Sequence, residues 1–162
     1  MLKYLDSYVT LAEVPDEISL CINLVGCNIH CQGCHSPWLW DTYKGEYPNN
    51  LKPKELTTEE LEKLIKVNEG VSCICIMGGD YDIPGVYKIF SWLRENTNLK
   101  TAWYSGQIIR NDMNLGNFDY IKTGFYWEEK GPLNSKTTNQ RFYKVNNYKL
   151  EDITFKFWKH ER

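Results

Sequence analysis

Three cysteines with a spacing that suits metal binding lie close together near the start of the chain. Cys27, Cys31 and Cys34 form a C-x3-C-x2-C run in one predicted loop. Thiolates are soft ligands that favour iron–sulfur clusters or zinc, and three of them a few residues apart can converge on one metal centre. The run therefore predicts a metal site. The number of available ligands distinguishes an iron–sulfur cluster from a zinc site.

The number of ligands favours an iron–sulfur cluster over structural zinc. A structural zinc site is closed by four Cys or His ligands, usually as two separated pairs. Cys73 and Cys75 lie in an apolar run that lacks the loop of a second pair. A zinc site completed by His30 or His35 remains an alternative. Three thiolates fit a 4Fe–4S cluster better, and they leave one of its irons open. A ferredoxin normally closes its cluster with a fourth cysteine, whereas an open iron favours contact with a substrate.

The other three cysteines are expected to be structural. Six cysteines could form three disulfides, but close spacing in an intracellular chain of this size favours a metal or redox site. Cys21, Cys73 and Cys75 lie in apolar runs, where a free cysteine behaves as a small buried hydrophobic residue. We therefore assign only the three loop cysteines to the metal.

A pair of glycines follows the next predicted strand. Residues 71–77 (VSCICIM) form a short apolar run typical of a buried parallel strand, and Gly78-Gly79-Asp80 comes directly after it. The strand predicted over residues 17–25 likewise ends at the cysteine loop. Since ligands gather at the carboxyl ends of parallel strands, we expect both loops at the same edge of the sheet.

Alternating strands and helices are predicted around these loops. Capping residues 57–60 begin one helix, and Pro84 lies in the first turn of another. The predicted strands cover residues 17–25, 71–77, 99–104, 118–123 and 153–158, and the predicted helices cover 58–68 and 84–94, with a weak helical segment at 108–114. The alternation predicts one α/β domain over residues 1–162 with a mostly parallel sheet.

Composition and charge exclude two classes of partner. A net charge of −2 without clustered Lys and Arg gives no electrostatic footprint for nucleic acid or an anionic membrane. The first residues lack the apolar segment of a secretory signal, and no apolar run approaches the ~20 residues of a transmembrane helix. We therefore expect a cytoplasmic protein that binds neither nucleic acid nor membrane.

The order of these motifs resembles the radical S-adenosylmethionine superfamily. A C-x3-C-x2-C loop follows the first predicted strand, and Gly78-Gly79-Asp80 stands in the place of that superfamily's GGE or GGD motif. The resemblance implies an α/β fold in the form of a partial, incomplete β/α barrel. It also implies that the open iron binds the amino and carboxylate groups of S-adenosylmethionine.

A closer resemblance is to the anaerobic ribonucleoside-triphosphate reductase activating proteins. It rests on residues 26–35 (GCNIHCQGCH), on Trp40-Asp41, and on residues 138–141 (TNQR) near the carboxyl end. The short chain also fits, because most other members of the superfamily carry additional barrel units or domains. Tyr81 follows the GGD motif at a position where the family usually has proline.

The resemblance implies a role for each site residue. Cys27, Cys31 and Cys34 would bind the cluster. Gly33 and His35, on either side of Cys34, would lie against the adenosyl group. Gly78, Gly79 and Asp80 would hold the methionyl end.

The resemblance also implies the reaction and its partners. Reductive cleavage of S-adenosylmethionine would give a 5′-deoxyadenosyl radical that takes a hydrogen atom from a glycine of the partner reductase. A one-electron donor such as reduced flavodoxin or ferredoxin would supply the electron. No catalytic residue is required beyond the cluster ligands, because no side chain has to act as a general acid or base.

Several alternatives remain open from the sequence. Trp103 and Tyr104 end a predicted strand and belong either to the ligand pocket or to the core. Asn139 and Arg141 either contact a ligand or partner or only stabilise the fold. The whole protein could also be another small radical enzyme, of the pyruvate formate-lyase activase or 7-carboxy-7-deazaguanine synthase type, or a non-catalytic iron–sulfur or zinc module.

Overall fold

The structure, a computed structural model, describes residues 1–158; the last residues of the predicted domain, 159–162, lie outside the described residues. Within residues 1–158, eight strands form one sheet that packs against two α-helices. The strands are β1 (Lys3–Thr10), β2 (Ser19–Leu24), β3 (Lys54–Glu55), β4 (Cys73–Met77), β5 (Lys100–Tyr104), β6 (Tyr120–Thr123), β7 (Arg141–Asn146) and β8 (Lys149–Asp152), and the helices are α1 (Thr58–Val67) and α2 (Ile83–Asn96).

The sheet is parallel only at its centre. Its strand order is β3-β1-β2-β4-β5-β6-β7-β8, in which β2, β4, β5 and β6 run parallel. The outer strands all pair antiparallel, so within the described residues four of the seven neighbouring pairs are antiparallel. The expectation of a mostly parallel sheet is therefore wrong for the sheet as a whole. The sheet is open, and the partial barrel stays a prediction.

The outer strands escaped the sequence analysis because their signals are weak. The β7–β8 hairpin turns at Asn147 and Tyr148, whose φ angles are +48° and +63°. Such turns favour Asn-Gly, and tyrosine at the second position hides the hairpin signal. β7 and β8 also bury few of their side chains, so the alternation that marks a strand is faint.

The predicted central elements are confirmed to within two residues at each end. α1 begins as its capping sequence indicates, since the Thr57 hydroxyl accepts a hydrogen bond from the Glu60 N–H at 3.1 Å. Asp82 caps the start of α2, since its carboxylate accepts from the Gly85 N–H at 3.1 Å. Both helices pack on the same face of the sheet.

Two predicted elements are wrong. Residues 108–114 form turns instead of a helix, with one backbone bond from the Met113 N–H to the Arg110 carbonyl. Residues 154–157 form a 3-10 turn instead of a strand. The cause of the second error is local: the Asp152 carboxylate accepts from both the N–H and the hydroxyl of Thr154, and these bonds turn the chain.

The parallel strands are buried on both faces, as their continuous apolar runs predict. One face, with Ile74, Ile76 and Trp103, packs against the helices. The other face carries Cys73 and Cys75 and is covered by the loop after β1 and by the chain after β8. The cysteine and glycine loops lie at the carboxyl ends of the parallel strands, at the edge of this second face.

Candidate metal centre

The cysteine loop starts where β2 ends and is tied together at its base. The N–H groups of Gly26 and Cys27 donate to the Leu39 carbonyl at 2.8 and 2.9 Å, and the Asp41 N–H donates to the Cys27 carbonyl at 3.0 Å. Because Cys27 is fixed by backbone bonds on both sides, the loop that contains Cys31 and Cys34 is closed at its ends.

The six cysteines fall into two groups by exposure. All six are free thiols, and Cys27, Cys31 and Cys34 are partly exposed. The other three are fully buried, as predicted: Cys21, Cys73 and Cys75. Burial raises the pKa of the Cys73 and Cys75 thiols well above the usual value, which keeps them protonated and inert.

Backbone N–H groups lie against each thiol of the loop. The Ser36 N–H donates to Cys34 Sγ at 3.4 Å, and the Tyr126 N–H donates to Cys31 Sγ at 3.3 Å. Burial raises the pKa of Cys27, while backbone hydrogen bonds from residues 29 and 30 oppose that rise. Hydrogen bonds to sulfur are typical of iron–sulfur sites, where they stabilise the negative charge of the cluster.

The donor set of the loop fits an iron–sulfur cluster. Within residues 1–158, no three or more His, Cys, Asp or Glu side chains come close enough to share one metal ion. A 4Fe–4S cluster does not need this closeness, because each thiolate binds a different iron. The Trp40 indole N–H of the same loop is buried without a partner among the described residues, which leaves a donor for a bound group.

The two histidines of the loop contact other groups. His30 Nε2 lies 2.5 Å from Asp41 Oδ1, and its ring centroid is 5.0 Å from that of Trp40. The His35 ring packs against Tyr126, with the centroids 5.2 Å apart. Neither histidine is grouped with the thiols as a zinc ligand in the described part of the chain.

The glycine loop follows β4 and can only be built with glycine at its second position. Gly79 has a φ of +91°, and a Cβ added there would lie 2.6 Å from Val86 Cγ2 and 2.9 Å from Leu24 Cδ1. Gly78 also connects to β5, since its N–H donates to the Tyr104 carbonyl at 2.9 Å and its carbonyl accepts from the Trp103 indole at 2.8 Å.

Asp80 joins the ends of β4 and β5. Its side chain is buried, one carboxylate oxygen accepts from the Ser105 hydroxyl, and the other accepts from the Gly106 N–H at 2.9 Å. The segment after β5 is thus part of the loop edge. These contacts are internal, and binding of a ligand by Gly78, Gly79 and Asp80 stays a prediction.

Tyr81 brings the glycine loop onto the cysteine loop. A Cβ added at Gly26 would lie 3.0 Å from Tyr81 Cε1, so the ring covers the residue that precedes Cys27. This contact confirms that the two loops lie at the same edge of the sheet. Tyr81 therefore packs between the two loops.

The chain after β6 covers the other side of the cysteine loop. A Cβ added at Gly33 would lie 2.9 Å from the Glu128 carboxyl carbon. A cavity of about 310 Å³ lies between the two segments, with Cys31 in its wall and the stacked, partly exposed rings of Phe125 and Trp127 at its border. The predicted contact of Gly33 and His35 with an adenosyl group stays a prediction.

Lys122 is a site residue that the sequence analysis missed. Burial lowers the pKa of its ammonium to about 8, while the charges of Cys31, Asp80 and Cys27 oppose that shift. Its Nζ donates to the Gly124 carbonyl at 2.7 Å. A lysine within the apolar strand YIKT was the signal, because buried lysines are rare and usually have a role.

Lys122 also lines a second, larger cavity on the face of the sheet away from the helices. Its volume is about 600 Å³, within the range of small-molecule sites. Tyr104, Gln140 and Glu13 lie in its wall together with apolar side chains. Lys122 therefore borders this cavity and is connected through Ser105 to the Asp80 carboxylate of the glycine loop.

A family model described as a 4Fe-4S single cluster domain matches residues 18–123, which contain all six cysteines and the glycine loop. The site thus defines an iron–sulfur protein. The chain belongs to the family of 4Fe-4S single cluster domains, since the match covers well over half of it. Comparison with curated proteins and with solved structures gives no match. Within residues 1–158, no helix is long and apolar enough to cross a membrane.

Proposed function

We propose that this protein is the activating enzyme of an anaerobic ribonucleoside-triphosphate reductase. It would bind a 4Fe–4S cluster through Cys27, Cys31 and Cys34 and cleave S-adenosylmethionine reductively. The observation that supports this most is the arrangement of three partly exposed thiols in one loop, next to the glycine loop and with no fourth cysteine beside them. The other three cysteines are buried within the sheet.

The cluster and its substrate would supply the chemistry. When bound, the cluster would pass one electron to the sulfonium of S-adenosylmethionine, whose C–S bond breaks homolytically to give methionine and a 5′-deoxyadenosyl radical that takes hydrogen from a glycine of the reductase. The residues of this chain would hold these groups in place. The Asp80 carboxylate fixes the loops after β4 and β5 relative to each other, and Tyr81 packs those loops on the cysteine loop.

In this proposal the larger cavity would hold part of the substrate. Lys122 lines that cavity, and its Nζ donates to the carbonyl of Ser105, whose hydroxyl donates to the Asp80 carboxylate. A buried ammonium suits a carboxylate or another anionic group, because an opposite charge nearby favours the charged form of the lysine. The methionyl carboxylate of the substrate is such a group.

Anaerobic reconstitution with iron and sulfide tests the proposal directly. With dithionite and S-adenosylmethionine, we expect about four irons per chain and the formation of methionine and 5′-deoxyadenosine. Cys31→Ala should lose the cluster and the cleavage. Cys73→Ala is the matched control, since it removes a buried thiol of the second group and should keep its iron. Full cleavage by Cys31→Ala would show that the ligand assignment is wrong.

A second candidate is an electron-transfer module without S-adenosylmethionine chemistry. It is favoured by the internal hydrogen bonds of Gly78 and Asp80, which account for the glycine loop without a ligand. Adding S-adenosylmethionine to the reconstituted protein distinguishes these two candidate functions. If its EPR spectrum does not change on addition of S-adenosylmethionine and no methionine forms, the module is correct. Glycyl radical on the partner reductase, seen by EPR, would support the activating enzyme.

A further inference from the structure

We infer that Asn139 is a positioning residue that sets the reduction potential of the cluster, because it holds the Tyr126 N–H on the sulfur of Cys31. The inference rests on the ligation of the cluster by Cys31 proposed above. Within residues 1–158, Cys31 is the only one of the three loop thiols that accepts a hydrogen bond from a distant part of the chain. The donor, Tyr126, lies 95 residues beyond Cys31.

A single peptide group connects Asn139 to the sulfur. The Asn139 side-chain amide donates to the Phe125 carbonyl at 3.0 Å, and the Tyr126 N–H donates to Cys31 Sγ at 3.3 Å. The Phe125 carbonyl and the Tyr126 N–H belong to the same planar peptide unit, and they point in opposite directions because the peptide is trans. Fixing the carbonyl therefore fixes the direction of the N–H.

The hydrogen bond at the carbonyl also polarises the donor. In a chain of hydrogen bonds each bond strengthens the next, so an acceptor bond at the Phe125 oxygen makes the Tyr126 N–H a better donor. The preceding residue is held as well, since the Gly124 N–H donates to the Gln107 carbonyl at 2.7 Å and its carbonyl accepts from Lys122. Asn139 is the side chain that acts on the peptide unit facing the thiol.

The direction of the effect follows from charge. Reduction adds one negative charge to the cluster, and an N–H donor to a ligand sulfur stabilises the reduced form more than the oxidised form. The bond to Cys31 therefore raises the potential. Its loss should make the cluster harder to reduce.

Asn139→Leu tests the inference, because leucine keeps the approximate volume and removes the donor. Asn146→Leu is the matched control: it also removes an amide that donates a hydrogen bond, at 3.1 Å to Glu151, but in the β7–β8 hairpin. In an EPR-monitored redox titration of the iron-loaded proteins, we expect Asn139→Leu to shift the reduction equilibrium about tenfold, ~59 mV more negative for one electron. The control should match the wild type.

A second variant and a spectroscopic measurement separate positioning from general stability. Tyr126→Pro removes the N–H itself and should shift the potential in the same direction. In D2O, pulsed EPR should detect a deuteron coupled to the cluster of the wild type and of Asn146→Leu, with weaker coupling in Asn139→Leu. An unshifted potential in either iron-loaded variant would overturn the role of Asn139 but would leave the cysteine assignment intact. Failure of the wild type to bind iron would overturn the cysteine assignment and this inference together.

Discussion

At the scale of single residues, environment decides what each cysteine can do. The buried thiols of Cys73 and Cys75 are desolvated, and the charged thiolate that binds metal is disfavoured there. The thiols of Cys31 and Cys34 are partly exposed and receive backbone N–H groups. The local spacing of the cysteines already indicated this division, because one group lies in a loop and the other in apolar strands.

Asp80→Asn should destabilise the loop edge. The substitution replaces one of the two carboxylate oxygens that accept from Ser105 and Gly106 by an amide donor, which leaves a buried N–H without a partner. We expect a loss of about 1–3 kcal/mol in the free energy of unfolding, measured by urea denaturation. The control is Asp112→Asn at an exposed ion pair with Arg110, which should change stability by about 0.5 kcal/mol or less. Equal effects of both substitutions would contradict the structural role of Asp80.

Some residues of the site could not be found from the sequence. The three cysteines and Gly78-Gly79-Asp80 are recognisable because their spacing is local. Tyr126 contributes only its backbone N–H, which any residue other than proline has, so no residue type marks its position. Asn139 contacts the Phe125 carbonyl across 14 residues, and only the folded chain brings the two together.

At the scale of elements, the glycine loop shows how a tight connection fixes the position of a site. β4 and α2 are joined by a few residues, and Gly79 lies where the loop passes between Leu24 of β2 and Val86 of α2. Side chains from both sides fill the space that a Cβ would need. The loop therefore cannot move away from the sheet edge without disturbing the core.

Gly79→Ala should be more destabilising than Gly70→Ala. Both glycines have φ near +90°, which costs an alanine about 1–2 kcal/mol. A Cβ at Gly79 would also overlap Val86 and Leu24, whereas none of the described atoms lies within 4 Å of a Cβ at Gly70. We expect an additional loss of about 1–3 kcal/mol for Gly79→Ala, measured by urea unfolding. An equal loss of unfolding free energy in both variants would mean that Val86 and Leu24 can move aside without destabilising the protein.

The central elements are predictable from the sequence and the outer ones are not, for a physical reason. β2, β4 and β5 are buried on both faces, so their apolar runs are continuous and end at clear turn residues. β7 buries only Phe142 completely, and β8 buries no side chain completely, so neither shows the alternation of a half-buried strand. β7 also depends on pairing with β6, about 20 residues earlier in the chain, which a local pattern does not contain.

At the scale of the whole molecule, a buried carboxylate connects the ends of the parallel strands opposite the metal centre. Glu17, only 7% exposed, precedes β2 and accepts hydrogen bonds from Ser72, Lys100 and Tyr120, which precede or lie in β4, β5 and β6. The amino ends of the four parallel strands are thereby held together by one side chain. Burial raises its pKa, but these hydrogen bonds outweigh burial and lower the pKa below the usual 4.5.

The stability that Glu17 contributes should depend on pH. Because its pKa is lower in the folded than in the unfolded protein, the contribution is complete above pH ~4.5 and is lost as the pH falls through the folded value. Glu17→Gln should lose about 1–3 kcal/mol at pH 7, and its deficit relative to the wild type should shrink in acid. Urea unfolding of the metal-free protein from pH 7 to about pH 3.5 measures this. The exposed Glu95→Gln is the control, and a deficit independent of pH would contradict the assignment.

The cover over Cys31 has a consequence for how the protein is made. All three loop cysteines precede the segment that covers one of them, and Tyr126 leaves the ribosome 95 residues after Cys31. At ordinary rates of translation this interval lasts roughly 5 to 19 s. During that time the nascent chain presents all three thiols, and Cys31 lacks its distant hydrogen-bond donor. A cluster inserted then would lack the environment of the finished protein, so insertion after release gives the centre its proper surroundings.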